Sequence, residues 1–161
     1  MQFSELVRRL AAAAEHGDGD ALADLFTPGG TYDDYFFGPQ MGREAIKTML
    51  AHFADGGRDF RWEFFDPVAA GALGYASYRF SFTSTRPEAK GARVVFDGIG
   101  RFDLEHEGGR IRRYSEVFDR GMALAQQEFE PERLRRIGIK YATALKAQPG
   151  WAGHARAGGK S

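Results

Sequence analysis

Two short stretches of the chain carry the residue types of proton-transfer chemistry. Tyr32, Asp33 and Asp34 follow one another in a segment, Thr31 to Phe36, that reads as a short strand. Alternation along a strand places Tyr32 and Asp34 on one face and Asp33 on the other. Much later, Tyr114, Glu116 and Phe118 share one strand face while Arg113, Ser115 and Val117 share the opposite one. A glutamate between two aromatic side chains on an inward face is desolvated, which raises its pKa and suits it to proton transfer near neutrality. Two plainer readings stand beside this one. The Tyr-Asp-Asp run also reads as solvated residues at a strand end, and Glu116 as a surface carboxylate paired with Arg79 or Arg101 on a neighbouring strand.

Other chemistries find little support. The 161 residues include no cysteine, so disulfides, thiolate nucleophiles and cysteine-ligated zinc are excluded, and a cytoplasmic setting is the simplest expectation. The four histidines, at 16, 52, 106 and 154, fall on separate elements and never at a metal-ligand spacing, so no metal is expected. His52 is expected on the solvated side of a helix. No glycine-rich dinucleotide fingerprint follows a strand, and no cofactor is expected. The 22 basic and 22 acidic residues cancel, which argues against nucleic acid as a partner. Charges at Glu5, Arg8, Arg9 and Glu15 within the first apolar pattern suit neither a signal peptide nor a membrane span.

The elements that must position the two stretches follow from periodicity. Phe3, Leu6, Val7, Leu10, Ala11 and Ala14 recur at helical spacing and predict an amphipathic first helix ending near Gly17. Asp18 caps a second, short helix that Thr27-Pro28-Gly29-Gly30 breaks. Gly38-Pro39 reads as a turn, and Arg43 to Phe53 as a third helix with Ile46, Met49, Leu50 and Phe53 on its inner face. Four β-like segments follow, Asp59 to Asp66, Ala72 to Thr85, Ala92 to His106 and Arg110 to Asp119, spaced as an antiparallel meander with Gly98 and Gly100 as bend points. Helix returns at Met122 to Phe129 and Pro131 to Ala147. The apolar stripe of the last helix, Leu134, Ile137, Tyr141 and Leu145, suits packing in the same subunit, swapping onto a partner or lidding a pocket, the last making Tyr141 or Trp151 ligand contacts. Helices first and strands later predict an α+β domain over residues 1–147, with its core at 3–119 and a helical extension at 121–147. Residues 148–161 are expected to be a disordered tail.

This order of elements, with Ala-x-x-Leu-Phe, the Tyr-Asp-Asp strand, Gly42-Arg43-Glu44-Ala45-Ile46 and Glu116-Val-Phe-Asp119, resembles the SnoaL-like, or nuclear transport factor 2-like, superfamily from about Leu6 to Asp119. The resemblance implies a cone: a curved, mainly antiparallel sheet wrapped around three N-terminal helices, enclosing a pocket, often in a homodimer formed through the sheet. The ketosteroid isomerase pattern of that superfamily puts a general-base aspartate at Asp34, but its oxyanion-hole tyrosine falls at about Leu10 and its protonated aspartic acid near Gly98. The limonene epoxide hydrolase pattern puts a water-activating carboxylate at Glu116 and water-holding groups at Tyr32 and Asp34, with its Arg-x-Asp pair at Arg79 and Ser81.

The combined expectation is a cofactor-free acid-base enzyme of the isomerase, cyclase, dehydratase or hydrolase kind, acting on a small apolar molecule with a carbonyl, hydroxyl or epoxide. Asp34 is assigned as base, Glu116 as a second proton-transfer group, Tyr32 as hydrogen-bond donor and Arg79 as their orienting partner. Ile46, Met49, Phe53, Phe96, Tyr114 and Phe118 are assigned to the pocket wall. The competing expectation is a non-catalytic binder of an apolar ligand or a dimeric scaffold. The two differ in geometry: convergence of Asp34 and Glu116 in one enclosed pocket favours catalysis, whereas an arginine on Glu116 or a cavity filled by phenylalanine favours the scaffold.

Overall fold

The computed structural model of the protein describes residues 1–156. Three helices open it: α1 (Phe3–Glu15), α2 (Gly19–Asp24) and, after two strands, α3 (Arg43–Gly56). The Asp18 side chain accepts the Ala21 N–H at 2.9 Å and caps α2, and Gly17, at φ +65°, makes the turn that ends α1. Leu6, Val7, Leu10 and Ala14 point inward from α1, so the helical spacing of the apolar residues fixes which face meets the sheet.

The strands are β1 (Phe26–Asp34), β2 (Gly38–Met41), β3 (Gly57–Ala70), β4 (Leu73–Ser84), β5 (Arg93–Leu104) and β6 (Ile111–Phe118), in the order β2-β1-β6-β5-β4-β3. The meander from β3 to β6 is antiparallel throughout, and β1 joins it parallel to β6, so the sheet is mixed. The Thr27 to Gly30 run, expected to be a break, lies within β1, where the pairing with β6 shifts register, and the expected Gly38-Pro39 turn is the start of β2. The described helices and this curved sheet form an α+β cone.

The bends of the long strands fall where the sequence did not announce them. On β3 the pairing with β4 shifts register between Arg58 and Arg61 and again between Phe65 and Val68. An aspartate sits in the left-handed region inside each shift, Asp59 at φ 54° and Asp66 at φ 50°. Bulges of this kind add a residue and increase local twist, which curls the sheet over the helices. Gly98 and Gly100, expected as bend points, instead run through unbroken pairing with both neighbours. Their lack of a side chain makes room: a Cβ at Gly98 would lie 2.5 Å from the Tyr78 hydroxyl, and one at Gly100 would lie 2.9 Å from the Tyr114 ring.

After β6, α4 (Arg120–Ala125) is capped by Asp119, and α5 (Pro131–Lys146) packs on the same chain. The Arg120 guanidinium lies over the rings of Tyr35, at 3.6 Å, and Tyr141, at 3.4 Å, and donates to the Tyr35 carbonyl. Pro149–Trp151 forms a short 3-10 turn, and the last five residues of the tail expected to be disordered, 157–161, lie outside the described residues. No described helix is long and apolar enough to cross a membrane.

A Cβ at residue 98 would also come within 2.6 Å of the Val117 carbonyl, which belongs to the backbone and cannot swing away. Gly98→Ala is therefore expected to lower folding stability by about 1–3 kcal/mol, read as a reduced urea midpoint with an unchanged slope.

Candidate active site

Parallel pairing of β1 with β6 sets Tyr32 beside Tyr114 and Asp33 beside Ser115. The next inward positions along the two strands are Asp34 and Glu116, so the side-chain alternation that separates Asp33 from its neighbours also brings the two carboxyl groups side by side. Asp33 faces outward and pairs with Arg113. Asp34 is buried, and its Oδ1 accepts the Phe36 and Phe37 N–H groups at 2.8 and 2.7 Å. Glu116 is partly buried and accepts the Tyr114 hydroxyl on Oε2 at 2.9 Å. Among the described residues, neither carboxyl group forms an ion pair.

The environment acts on both in the same direction. Burial raises the Asp34 carboxyl above its ordinary value, while the two backbone N–H groups pull it back. Glu116 is pushed up to about 8, first by desolvation and then by the Asp34 charge, against the lowering effect of its tyrosine neighbours. Burial raises the Tyr32 and Tyr114 phenols as well, so both remain protonated donors.

The pair opens into a cavity of ≈ 630 Å³ whose wall is mainly aromatic. Tyr32, Asp34 and Glu116 line it, together with Phe53, Phe96 and Phe118 as expected. Phe96 and Phe118 stack at 4.3 Å, which flattens one wall. Tyr114 lies behind Glu116 and is fully buried rather than on the surface of the pocket. Ile46 and Met49 are in the core between α3 and its neighbours, one layer away from the cavity, because the inner face of α3 meets the other helices before it meets the pocket.

Arg79 is not at the site. It is at an odd position of β4, between the inward-facing Tyr78 and Phe80, so alternation turns it to the outer surface. There its side chain is 66% exposed, reaches Glu63 at 3.2 Å and covers the Phe65 ring. Arg101 is likewise outside, with Asp103. His52 is exposed as expected but lies at the rim of the cavity. Tyr141 bonds the Phe36 carbonyl at 3.4 Å, and neither it nor Trp151 lines the cavity.

The residues missed are largely those of β3 and β4: Phe60, Trp62, Tyr78, Phe80 and Phe82, with Arg86 beyond the end of β4. Their signal was present in the period-two run Tyr78, Phe80, Phe82. The same period would have excluded Arg79.

Because the unfolded glutamate titrates near 4.3, a folded value of about 8 means that the native state binds the extra proton between those limits. The contribution of Glu116 to stability is therefore complete below about pH 4 and is lost as pH rises through 8. The wild-type urea midpoint is expected to fall between pH 5 and pH 8, and Glu116→Gln to flatten that fall, as followed by tryptophan fluorescence.

Residues 7–114 match the model of the SnoaL-like domain family. No curated protein sequence matches. Among solved structures, a protein with a ketosteroid isomerase-like fold from Catenulispora acidiphila DSM 44928, in complex with trimethylamine, aligns at 22% identity and a TM-score of 0.69, over 78% of this chain and 94% of that one. A candidate polyketide cyclase from Xanthomonas campestris pv. campestris aligns at 23% identity and 0.62, over 76% and 94%. An epoxide hydrolase from M. tuberculosis, of the LEH-like type, aligns at 19% and 0.60, over 76% and 86%. At these identities the structural likeness establishes the fold, and the family match over most of the cone, helices and sheet alike, establishes the lineage: the chain belongs to the SnoaL-like domain family.

Proposed function

We propose that the protein is a cofactor-free acid-base enzyme acting on a small, largely apolar molecule, with Asp34 as the base and Glu116 as the proton donor. One observation carries the reading: two carboxyl groups at adjacent inward positions of parallel strands, with no ion pair to either among the described residues, in a cavity that aromatic side chains line without filling. A pocket serving only to hold an apolar ligand gains nothing from two carboxyl groups whose burial is unfavourable.

Their surroundings divide the roles. Two N–H groups on Oδ1 favour the ionised form of Asp34 and leave Oδ2 to take a proton. Glu116, held up to about 8, keeps its proton at neutral pH and donates it. The reaction these groups complete unaided is a proton shift in a carbonyl compound. Asp34 takes a proton from the carbon beside the carbonyl, the C–H electron pair moves toward the carbonyl oxygen, and Glu116 donates a hydrogen bond to the charge formed there. Return of the proton to another carbon of the same conjugated system closes the cycle with no co-reactant. The epoxide hydrolase and the candidate cyclase among the structural neighbours support acid-base chemistry in this fold without choosing the reaction.

A proton-abstraction probe tests the base. In 5-nitrobenzisoxazole, loss of the C3 proton breaks the N–O bond and gives a nitrile and a coloured phenolate, so the reaction needs only a base in an apolar pocket. The wild type is expected to accelerate it over an equal concentration of acetate, and Asp34→Asn to lose about 100-fold or more. An Asp34→Asn protein that melts like the wild type and keeps its rate would overturn the assignment.

The expected homodimer is part of the proposal. Ile99 and Val117 are paired neighbours on the outer face of the sheet, both about half exposed, and with Val95 they give that face an apolar strip for a second copy. Ile99→Glu is expected to halve the mass found by sedimentation equilibrium without changing the fold.

A further inference from the structure

The loop that follows Asp34 is held at both ends of two successive peptide groups. Asp34 pairs with Gly38 across the β1–β2 hairpin, which leaves Tyr35, Phe36 and Phe37 as the loop between them. The Tyr35 carbonyl and the Phe36 N–H belong to one peptide group, and the Phe36 carbonyl and the Phe37 N–H to the next. Both N–H ends donate to Asp34 Oδ1, at 2.8 and 2.7 Å. Both carbonyl ends are taken by the C-terminal extension: the Arg120 guanidinium donates to the Tyr35 carbonyl at 2.9 Å, and the Tyr141 hydroxyl to the Phe36 carbonyl at 3.4 Å. These partners lie 85 and 105 positions away in the chain.

A hairpin loop needs no such partners, because carbonyls at a surface can bond water, and fixing an arginine costs side-chain entropy. Here the guanidinium is fixed between the Tyr35 and Tyr141 rings, 3.6 and 3.4 Å from their centroids, and among the described residues it forms no ion pair. Apolar packing of the extension does not account for the arrangement, since α5 buries none of its residues. A peptide whose carbonyl accepts from a cation is a better N–H donor at its other end, because bonded dipoles polarise one another. The Arg120 charge thus reaches Asp34 through a peptide group rather than by contact.

We infer that Arg120 and Tyr141 are positioning residues for Asp34: by holding the carbonyl ends of the two peptides whose N–H groups bond its carboxylate, the C-terminal extension keeps Asp34 ionised. The inference rests on the acid-base reading in taking Asp34 as the base, and it adds control of that base from outside the cavity, which neither Arg120 nor Tyr141 lines. Arg120 carries more of the effect, its bond being shorter and charge-assisted. Glu116, Tyr32, Tyr78, His52, Asp55 and Arg86 share the cavity with Asp34, and Asp33 adjoins it on the outer face of β1. Burial and the Asp33 charge push the Asp34 carboxyl up, while the two loop N–H groups pull it down. A loosened loop loses that downward pull and leaves Asp34 protonated over a wider range of pH.

The ionisation of Asp34 is read directly by carbon NMR of protein labelled at the aspartate carboxyl carbons, with Asp34→Asn assigning the signal. Arg120→Gln is expected to raise the Asp34 midpoint by about one pH unit, and Tyr141→Phe, which keeps the ring on the guanidinium, by about half a unit. Arg120→Lys, which keeps the charge and a donor, is expected to recover about half of the Arg120→Gln change. Arg101→Gln removes an equal charge from the outer face of the sheet and is expected to leave the midpoint within about 0.2 unit. In the nitrobenzisoxazole reaction, the acid limb of the pH–rate profile is expected to move to higher pH with the midpoint while the plateau stays; a base merely displaced would lower the plateau at every pH. Tyr141→Phe leaves the packing in place, so it decides the matter even where Arg120→Gln is too unstable to titrate. An Asp34 midpoint unmoved in Tyr141→Phe, no recovery in Arg120→Lys, or a change in Arg101→Gln equal to that in Arg120→Gln each overturns the inference. Because the titration needs no turnover, a base that fails the nitrobenzisoxazole test and a coupling that fails this one are separate results.

Discussion

The placement of two carboxyl groups side by side within an aromatic cavity, with no ion pair to either among the described residues, is the constraint on which the rest of the structure depends. Glu116 does not ionise fully near neutrality, because burial and the Asp34 charge both raise it, and burial raises Asp34 as well. What makes the arrangement tolerable is partial and unequal relief. Asp34 has two backbone donors from the turn after β1, and Glu116 has the Tyr114 hydroxyl. The two carboxyl groups therefore sit in unequal surroundings, the difference on which their proposed division into base and acid rests.

Several features far from the carboxyl groups shape the space around them. The turn that supplies the Phe36 and Phe37 N–H groups is held by Arg120, which bonds the Tyr35 carbonyl and lies against the Tyr141 ring of α5, so the C-terminal helix supports the turn from behind. The bulges at Asp59 and Asp66 curl β3 so that Trp62 faces the same space as residues from β1 and β6. Gly98 and Gly100 let two tyrosines cross β5 without displacing it. A flat sheet with side chains at those positions would keep the same pairing and lose the cavity.

Most of this frame was legible because it follows from period. Helical spacing specifies α1 and α3, and strand alternation alone puts Tyr32 with Asp34 and Tyr114 with Glu116. Long-range consequences were not legible. Whether Ile46 or Phe53 reaches the pocket depends on how deeply α3 sits on its neighbours, and a one-dimensional pattern marks both only as inward. Arg79 failed for a different reason: its role came from a relative's residue order, whereas its own position between Tyr78 and Phe80 assigns it to the outside. The parallel register of β1 with β6, which makes neighbours of two carboxyl groups 82 positions apart in the chain, has no local signature at all.

Strand β4 also acts as a ruler. Tyr78, Phe80 and Phe82 face the cavity at alternate positions, and at roughly 3.3 Å per residue they span about 13 Å along it. Phe96, the direct partner of Phe80 on β5, continues the same aromatic wall, its ring 5.2 Å from that of Phe80 and stacked on Phe118 at 4.3 Å. Flat rings and apolar edges complement such a wall, while the two carboxyl groups lie beyond its Tyr78 end. An apolar body therefore complements the wall, whereas only a polar group carried to the Tyr78 end meets the two carboxyl groups.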